Sequence, residues 1–177
     1  MHLTSLSYHF RQPFQVPANA AYVWCTDLGP DDGALLPERT ERTVQRLTKD
    51  ALIMTDTTYP RGRPLRIRRL VWLDPDTRSW TNTHLDGPRR HSQFWYRIVP
   101  DGPKRSHLER GSLCLVRTAR PLTAREIVAR TGELRDYDAG VWRRQFAPAM
   151  ERELRGAPKR RRRRREYAAP PPAAGRL

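Results

Sequence analysis

Residues 65–85 read LRIRRLVWLDPDTRSWTNTHL, two strand-like runs on either side of the turn sequence DPD at 74–76. A proline between two aspartates presets the corner of a tight turn, so this stretch predicts an antiparallel hairpin. Residues 40–59 and 91–116 repeat the pattern, with turns at TKD and PDGP. Because parallel strands need long crossovers, these short turns predict a six-stranded antiparallel meander over residues 40–117.

The segment before the meander predicts a seventh strand and two short helices. Residues 6–16 alternate, with Tyr8, Phe10 and Phe14 on one face, as in a half-buried strand. After Pro17, residues 18–27 have the mixed apolar spacing of a short amphipathic helix. The sequence GPDDG breaks this helix, and one further helical turn is expected before Leu36.

The segment after the meander predicts a long helix. In PLTAREI at 121–127, Thr123 can cap the amide of Glu126, and Glu126 can reach back to form a capping box. The predicted apolar stripe consists of Ile127, Leu134, Tyr137, Val141 and Leu154. A kink or break is expected near one of the three residues that weaken a helix here, Gly132, Gly140 and Pro148. GAP at 156–158 ends the helix.

Two local motifs, FQVPANAAYVW at 14–24 and YRIVPDG at 96–102, carry a resemblance to a known family. The first resembles the opening strand and helix of the SRPBCC superfamily, which includes START-like domains and polyketide cyclases, and the second resembles its late hairpin. The order of elements over about residues 6–155 is similar to the helix-grip fold. The resemblance implies an α+β fold, in which a seven-stranded antiparallel sheet wraps around a long C-terminal helix and two short helices follow the first strand. It also implies a cavity for hydrophobic or amphipathic small molecules, with catalysis in a minority of members.

The strand at 77–85 carries the most suggestive polar side chains. Alternation places Trp80, Asn82 and His84 on one face, with Asp86 continuing it. If that face points inward, His84 is a candidate general acid or base, tuned by Asp86 or Asn82; the alternative is a solvated face. Tyr96 is a candidate for orienting a ligand through its hydroxyl. The alternative is that its side chain only fills the core. The predicted cavity walls are Trp24, Met54, Trp72, Trp80, Asn82, His84, Phe94, Tyr96, Tyr137 and Val141.

The strand at 106–116 offers a second titratable candidate. Glu109 is either a buried partner of an arginine, with a shifted pKa, or half of a surface cross-strand ion pair. Cys114 has no neighbouring histidine in the sequence and follows no elbow motif, so we do not expect it to be a nucleophile. Cys25 is expected to pack in the first helix.

The formal net charge of the 177 residues is +15, and eight of the 34 basic residues lie in residues 158–177. This Pro- and Ala-rich segment predicts a disordered tail after a folded domain at residues 1–157. Its candidate contacts with nucleic acid or an anionic membrane are Lys159, Arg160, Arg161, Arg162, Arg163, Arg164 and Arg165. The alternative is a solvated extension, because no aromatic residue interrupts the basic run.

Several classes of protein are disfavoured by the sequence. Two cysteines cannot build a disulfide framework, the five histidines lack metal-ligand spacing, and no phosphate or dinucleotide loop is present, so neither a metal nor a cofactor is predicted. No apolar run approaches a membrane span, and no secretory signal is seen, so a cytoplasmic location is expected.

Three functions remain open from the sequence. The first is the binding of a hydrophobic or aromatic molecule, lipid-like or polyketide-like, in an internal cavity. The second is a cyclase or dehydratase of the polyketide type, with His84 as general acid or base. The third is association with nucleic acid or an anionic membrane through the Arg-rich tail.

Overall fold

The computed structural model describes residues 1–156, and the predicted tail at 158–177 lies outside this range. Seven strands form one antiparallel sheet: β1 (His2–Phe14), β2 (Thr40–Arg46), β3 (Ala51–Thr58), β4 (Leu65–Asp74), β5 (Ser79–His84), β6 (Gln93–Pro100) and β7 (Ser106–Thr118). Their order across the sheet is β1-β7-β6-β5-β4-β3-β2. The predicted meander is therefore present, and β1 extends it by pairing with β7 from His2 opposite Thr118 to Phe14 opposite Ser106.

The helices also follow the predicted order. Helix α1 (Ala18–Thr26) and a 3-10 helix (Pro30–Leu35) connect β1 to β2, at opposite edges of the sheet. Helix α2 (Ala124–Val141) begins with the predicted capping box, in which Thr123 and Glu126 bond reciprocally. A π-helical turn (Trp142–Phe146) and helix α3 (Ala147–Gly156) continue it without a break.

The expected irregularity in the long helix is the π turn, between Gly140 and Pro148. Proline has no amide hydrogen, and its ring clashes with the carbonyl four residues earlier, here that of Arg144. The chain avoids this clash by widening one turn, so that the amide of Ala147 donates to the carbonyl of Trp142, five residues back. The helix thus passes Pro148 without ending.

The core lies between one face of the sheet and the helices. Leu52, Val71, Ile98 and Leu108 are fully buried on this inner face, and Met150 of α3 packs into the same cluster. Helix α1 contacts β6 and β7, and α2 runs along β1. Burial of this apolar layer is the main favourable contribution to folding.

The outer face of the sheet is exposed and still carries aromatic residues. Trp95 covers Gly111 on the neighbouring strand, at a distance that leaves no room for a Cβ atom there. The register of β6 is regular through this position, so Trp95 is a surface residue and β6 has no bulge. Within residues 1–156, no helix combines the length and apolar character needed to cross a lipid bilayer.

Candidate functional site

A cavity of about 280 Å³ lies between the inner face of the sheet and the helices. Its walls come from α1, the 3-10 helix and the segment after it, strands β2 to β7, the loop after β5, the end of α2 and the π turn. Binding sites for small organic molecules are typically about 300–1,000 Å³, so this cavity lies just below that range. Its size favours a compact molecule of about two rings over a long-chain lipid.

Nine of the ten predicted wall residues line this cavity: Trp24, Met54, Trp80, Asn82, His84, Phe94, Tyr96, Tyr137 and Val141. The prediction for Trp72 is wrong. Its side chain is 55% exposed, because Val71 and Leu73 on either side of it are buried, and a strand turns successive residues to opposite faces. Trp72 therefore lies on the outer face of β4.

Aromatic rings form much of the wall. Trp80 and Tyr96 occupy opposed positions on β5 and β6, and their rings stack in parallel with centroids 4.7 Å apart. Trp142 and Phe146 of the π turn complete the layer, with their own centroids 4.9 Å apart. Tyr96 and Trp142 join the two groups, with ring centroids 6.3 Å apart, so the rings form one continuous aromatic wall.

Arg110 of β7 is a buried cation inside an aromatic box. Its guanidinium carbon lies 5.1–5.6 Å from the ring centroids of Tyr8, Phe10, Phe94 and Tyr96. Its Nη1 pairs with Asp138 Oδ2 at 2.6 Å, which links the sheet to α2. Arg110 Nε is buried without a partner among the described residues.

Tyr8 completes this cluster. Its hydroxyl donates to the Asp138 carboxylate, and Arg110 donates to the Tyr8 oxygen at 3.4 Å. Burial, together with the nearby Asp138 charge, raises the pKa of Tyr8 to about 12, so the phenol is protonated at neutral pH. Burial alone would lower the pKa of Arg110, but Tyr96, Asp138 and Tyr8 together raise it, and the guanidinium stays charged.

A second charged cluster centres on Asp56 of β3, which is only 2% exposed. Arg42 binds both carboxylate oxygens, at 2.7 and 3.0 Å, and Arg69 Nη1 binds Oδ2 at 2.5 Å. Burial alone would raise the pKa of Asp56, but the hydrogen bonds and charges of the two arginines outweigh it and lower the pKa. The carboxylate fixes the position of both guanidinium groups.

Arg69 in turn fixes His84. Arg69 Nε donates to His84 Nε2 at 3.1 Å, so the imidazole must carry its hydrogen on Nδ1. Burial and the charges of Arg69 and Arg89 lower the pKa of His84 to about 3. At neutral pH the ring is uncharged and its basic nitrogen is occupied. This geometry suits a hydrogen-bond donor better than the predicted general acid or base.

The remaining sequence candidates lie outside the cavity or are packed. The Asp86 carboxylate accepts hydrogen bonds from the backbone amide and from Nε of Arg68, and it makes no hydrogen bond with His84. Glu109 is on the outer face, where Arg11 Nη2 pairs with it at 2.8 Å, so the surface alternative holds. Cys25 lines the cavity but is buried, which raises the pKa of its thiol well above the usual range.

Cys114 is also buried, beside Ser92. Among residues 1–156, no group of three or more His, Cys, Asp or Glu side chains is arranged to hold a metal ion.

The charged residues of the cavity were missed by the sequence predictions, although one signal marks them. Asp56 follows Met54 by two residues, Arg69 precedes Val71 by two, and Arg110 follows Leu108 by two. Each therefore lies on the buried face of its strand, where a charge must be paired. The signal common to all three is a charged residue two positions away from a buried apolar residue on the same strand.

Neither a family model nor a curated protein matches the sequence. Solved structures are similar to it. The Zhui aromatase/cyclase from Streptomyces sp. R1128 is 18% identical, with 89% of this chain and 99% of that chain covered and a TM-score of 0.66. A START superfamily protein from Mycobacterium smegmatis is 14% identical, with 83% and 98% covered and a TM-score of 0.63.

Norcoclaurine synthase from Thalictrum flavum, solved with dopamine and hydroxybenzaldehyde, is 14% identical, with 86% of this chain and 87% of that chain covered and a TM-score of 0.63. At such identities the likeness concerns the fold. The chain therefore has the helix-grip fold that the sequence resemblance implied. Its functional site must be argued from its own residues.

Proposed function

We propose that this protein binds a compact aromatic molecule with polar oxygen substituents in the cavity. The observation that carries the proposal is the composition of the wall: stacked and tilted aromatic rings surround a few fixed donors. Small-molecule sites combine apolar surface for affinity with a few oriented polar groups for specificity. The neighbour solved with dopamine and hydroxybenzaldehyde supports the same ligand class.

A two-ring fluorescent phenol that is neutral at pH 7, 2-naphthol, tests this proposal. We expect its fluorescence to rise on binding and the rise to saturate with one equivalent of protein. Val141→Trp, at a buried wall position, fills the cavity and should weaken binding by about tenfold or more, equivalent to a loss of roughly 1.4 kcal/mol. The matched control is Val128→Trp on the same helix, where the side chain is 72% exposed. Equal affinity of both variants contradicts the proposal.

A second candidate function is enzymatic, and the Asp138 cluster favours it. Asp138 presents a carboxylate in the cavity wall, and Arg110 places a charged donor next to it. In an enolisation, a C–H bond beside a ligand carbonyl breaks, the proton goes to Asp138, and the electron pair moves to the carbonyl oxygen. Arg110 or the Nδ1–H of His84 would stabilise the resulting enolate. Such a step begins many cyclisations and dehydrations.

The exchange of methyl hydrogens of 2-acetylnaphthalene in D2O, followed by NMR, tests this step without a known substrate. We expect the protein to accelerate exchange, and Asp138→Asn to abolish the acceleration. Asp136→Asn is the control, since Asp136 is 70% exposed on the same helix. His84→Ala should slow exchange by roughly 100- to 1,000-fold if the Nδ1–H of His84 stabilises the enolate. Exchange at the buffer rate with wild-type protein argues against this candidate.

A further inference from the structure

We propose that the ligand of this cavity carries a carboxylate, bound by Arg69, Arg89 and the Nδ1–H of His84. The inference rests on the proposed function and specifies the ligand class of the same cavity. All three side chains line the cavity, and they come from β4, from β5 and from the loop after β5.

The first argument is the charge balance of the cavity wall. Arg42 and Arg69 share the carboxylate of Asp56, and Asp32 lies 3.9 Å from Arg42, so these four charges compensate one another. Arg89 adds a further positive charge, and no carboxylate of the residues that the structure describes lies within ion-pair distance of it. Among residues 1–156, the wall at this end therefore holds one positive charge that a ligand anion can neutralise.

The second argument is the donor on His84. The side chain is 6% exposed, and its Nε2 is occupied by Arg69. Its Nδ1 is buried and has no hydrogen-bond partner in the described part of the chain. A buried donor without a partner is costly, and a ligand acceptor would remove that cost. The Asp56 carboxylate holds Arg69 in place, and Arg69 in turn holds the His84 ring. The direction of the His84 Nδ1–H bond is therefore fixed.

The third argument is the selectivity of this set of groups. Guanidinium and neutral imidazole Nδ1–H are both donors, so they attract an acceptor and repel or ignore a cation. A planar carboxylate can accept from two donors through its two oxygens, and such charge-assisted bonds are about twice as strong as neutral ones. An aromatic ring attached to the carboxylate would meet Phe94, whose ring centroid is 5.0 Å from that of His84.

A matched pair of ligands tests the inference: 2-naphthoate and 2-naphthamide have nearly the same shape and differ in charge. By isothermal titration calorimetry, we expect the wild-type protein to bind 2-naphthoate about 10- to 100-fold more tightly than 2-naphthamide. Similar affinities for the two overturn the carboxylate assignment and leave the proposed cavity binding intact. If neither they nor 2-naphthol bind, the proposed function itself fails.

Variants of the loop after β5 locate the effect. Arg89→Gln should reduce the naphthoate preference to about threefold or less, and Arg89→Lys should restore part of it, because the charge returns without the planar fork. Arg90→Gln is the control, as Arg90 is the adjacent exposed arginine. Circular dichroism verifies that each variant is folded. An unchanged preference in Arg89→Gln contradicts the proposed site.

Discussion

Replacing Asp56 with Asn should destabilise the protein far more than the loss of a surface ion pair. The carboxylate is 2% exposed and is shared by Arg42 and Arg69, whose side chains are only 7% and 17% exposed. Asparagine has the same shape but leaves Arg69 without its anion and Arg42 with only the more distant Asp32, 3.9 Å away. Breaking a buried ion pair by removing one partner costs about 3–5 kcal/mol. In a domain of this size, that loss corresponds to a fall in Tm of roughly 6–20 °C.

Urea denaturation followed by tryptophan fluorescence measures this cost at pH 7. The matched control is Asp86→Asn, which removes a half-exposed pair with Arg68 and should cost about 1 kcal/mol or less. A loss below about 1 kcal/mol in Asp56→Asn would refute the assignment of a buried, shared carboxylate. Recovery of stability in the triple variant Arg42→Met, Asp56→Leu, Arg69→Met would support it, because well-packed apolar residues often replace buried ion pairs without loss.

The same carboxylate predicts a pH dependence. The pKa of Asp56 is lower in the folded protein than in the unfolded chain, where it is about 3.9. Its stabilising contribution is therefore complete above about pH 5, where the unfolded carboxyl is also ionised, and is lost as the pH falls through the folded pKa. The difference in unfolding free energy between wild type and Asp56→Asn should be constant from pH 5 to 8 and shrink below pH 4. A difference that persists unchanged at pH 2.5 would contradict the linkage.

Three further predictions concern other parts of the molecule. Tyr8→Phe removes the hydroxyl bound to Asp138 and should lower the unfolding free energy by about 1–3 kcal/mol. In the wild type, ultraviolet absorbance should show that Tyr8 stays un-ionised until the pH approaches 12, since its pKa is raised to about 12. Thr123→Ala removes the capping box with Glu126 and should cost about 1 kcal/mol in urea denaturation. Truncation after Gly156 tests the predicted basic tail. Affinity for a single-stranded oligonucleotide should collapse, and the slope of log affinity against log salt concentration should fall by several units. Undiminished binding would instead place the binding site in the folded domain.

The elements that the sequence predicted correctly depend on local chemistry. The hairpin turns and the capping box are encoded within a few residues, so the meander and the start of the long helix follow directly. Strand β5 alternates cleanly, and this is why Trp80, Asn82 and His84 could be placed on one face. Strand β4 does not, since Leu70, Val71, Trp72 and Leu73 are all apolar. Its phase was ambiguous, and Trp72 was placed on the wrong side.

The polar part of the site depends on contacts that no local pattern encodes. Asp138 is 28 residues after Arg110 and meets it only because α2 packs along β1, next to β7. Arg42, Asp56 and Arg69 come together through the register of three strands, in which Arg42 lies opposite Asp56. The protonation of His84 then depends on Arg69, and so on that register. A shift of one residue between strands would turn these side chains to the other face.

The arrangement of charges in the cavity explains why a strongly basic chain need not carry a polyanion-binding cavity. Arg110 is neutralised by Asp138, and Arg42 and Arg69 by Asp56 and Asp32. Paired arginines contribute fixed geometry and little net potential, so the net charge of +15 is a poor guide to this site. In the proposed site, selectivity depends on Arg89, which has no carboxylate partner among residues 1–156 and lies near His84 in the cavity wall. Such a site would distinguish two aromatic ligands by one carboxylate, whereas it would give a phosphate backbone neither space nor a continuous row of cations.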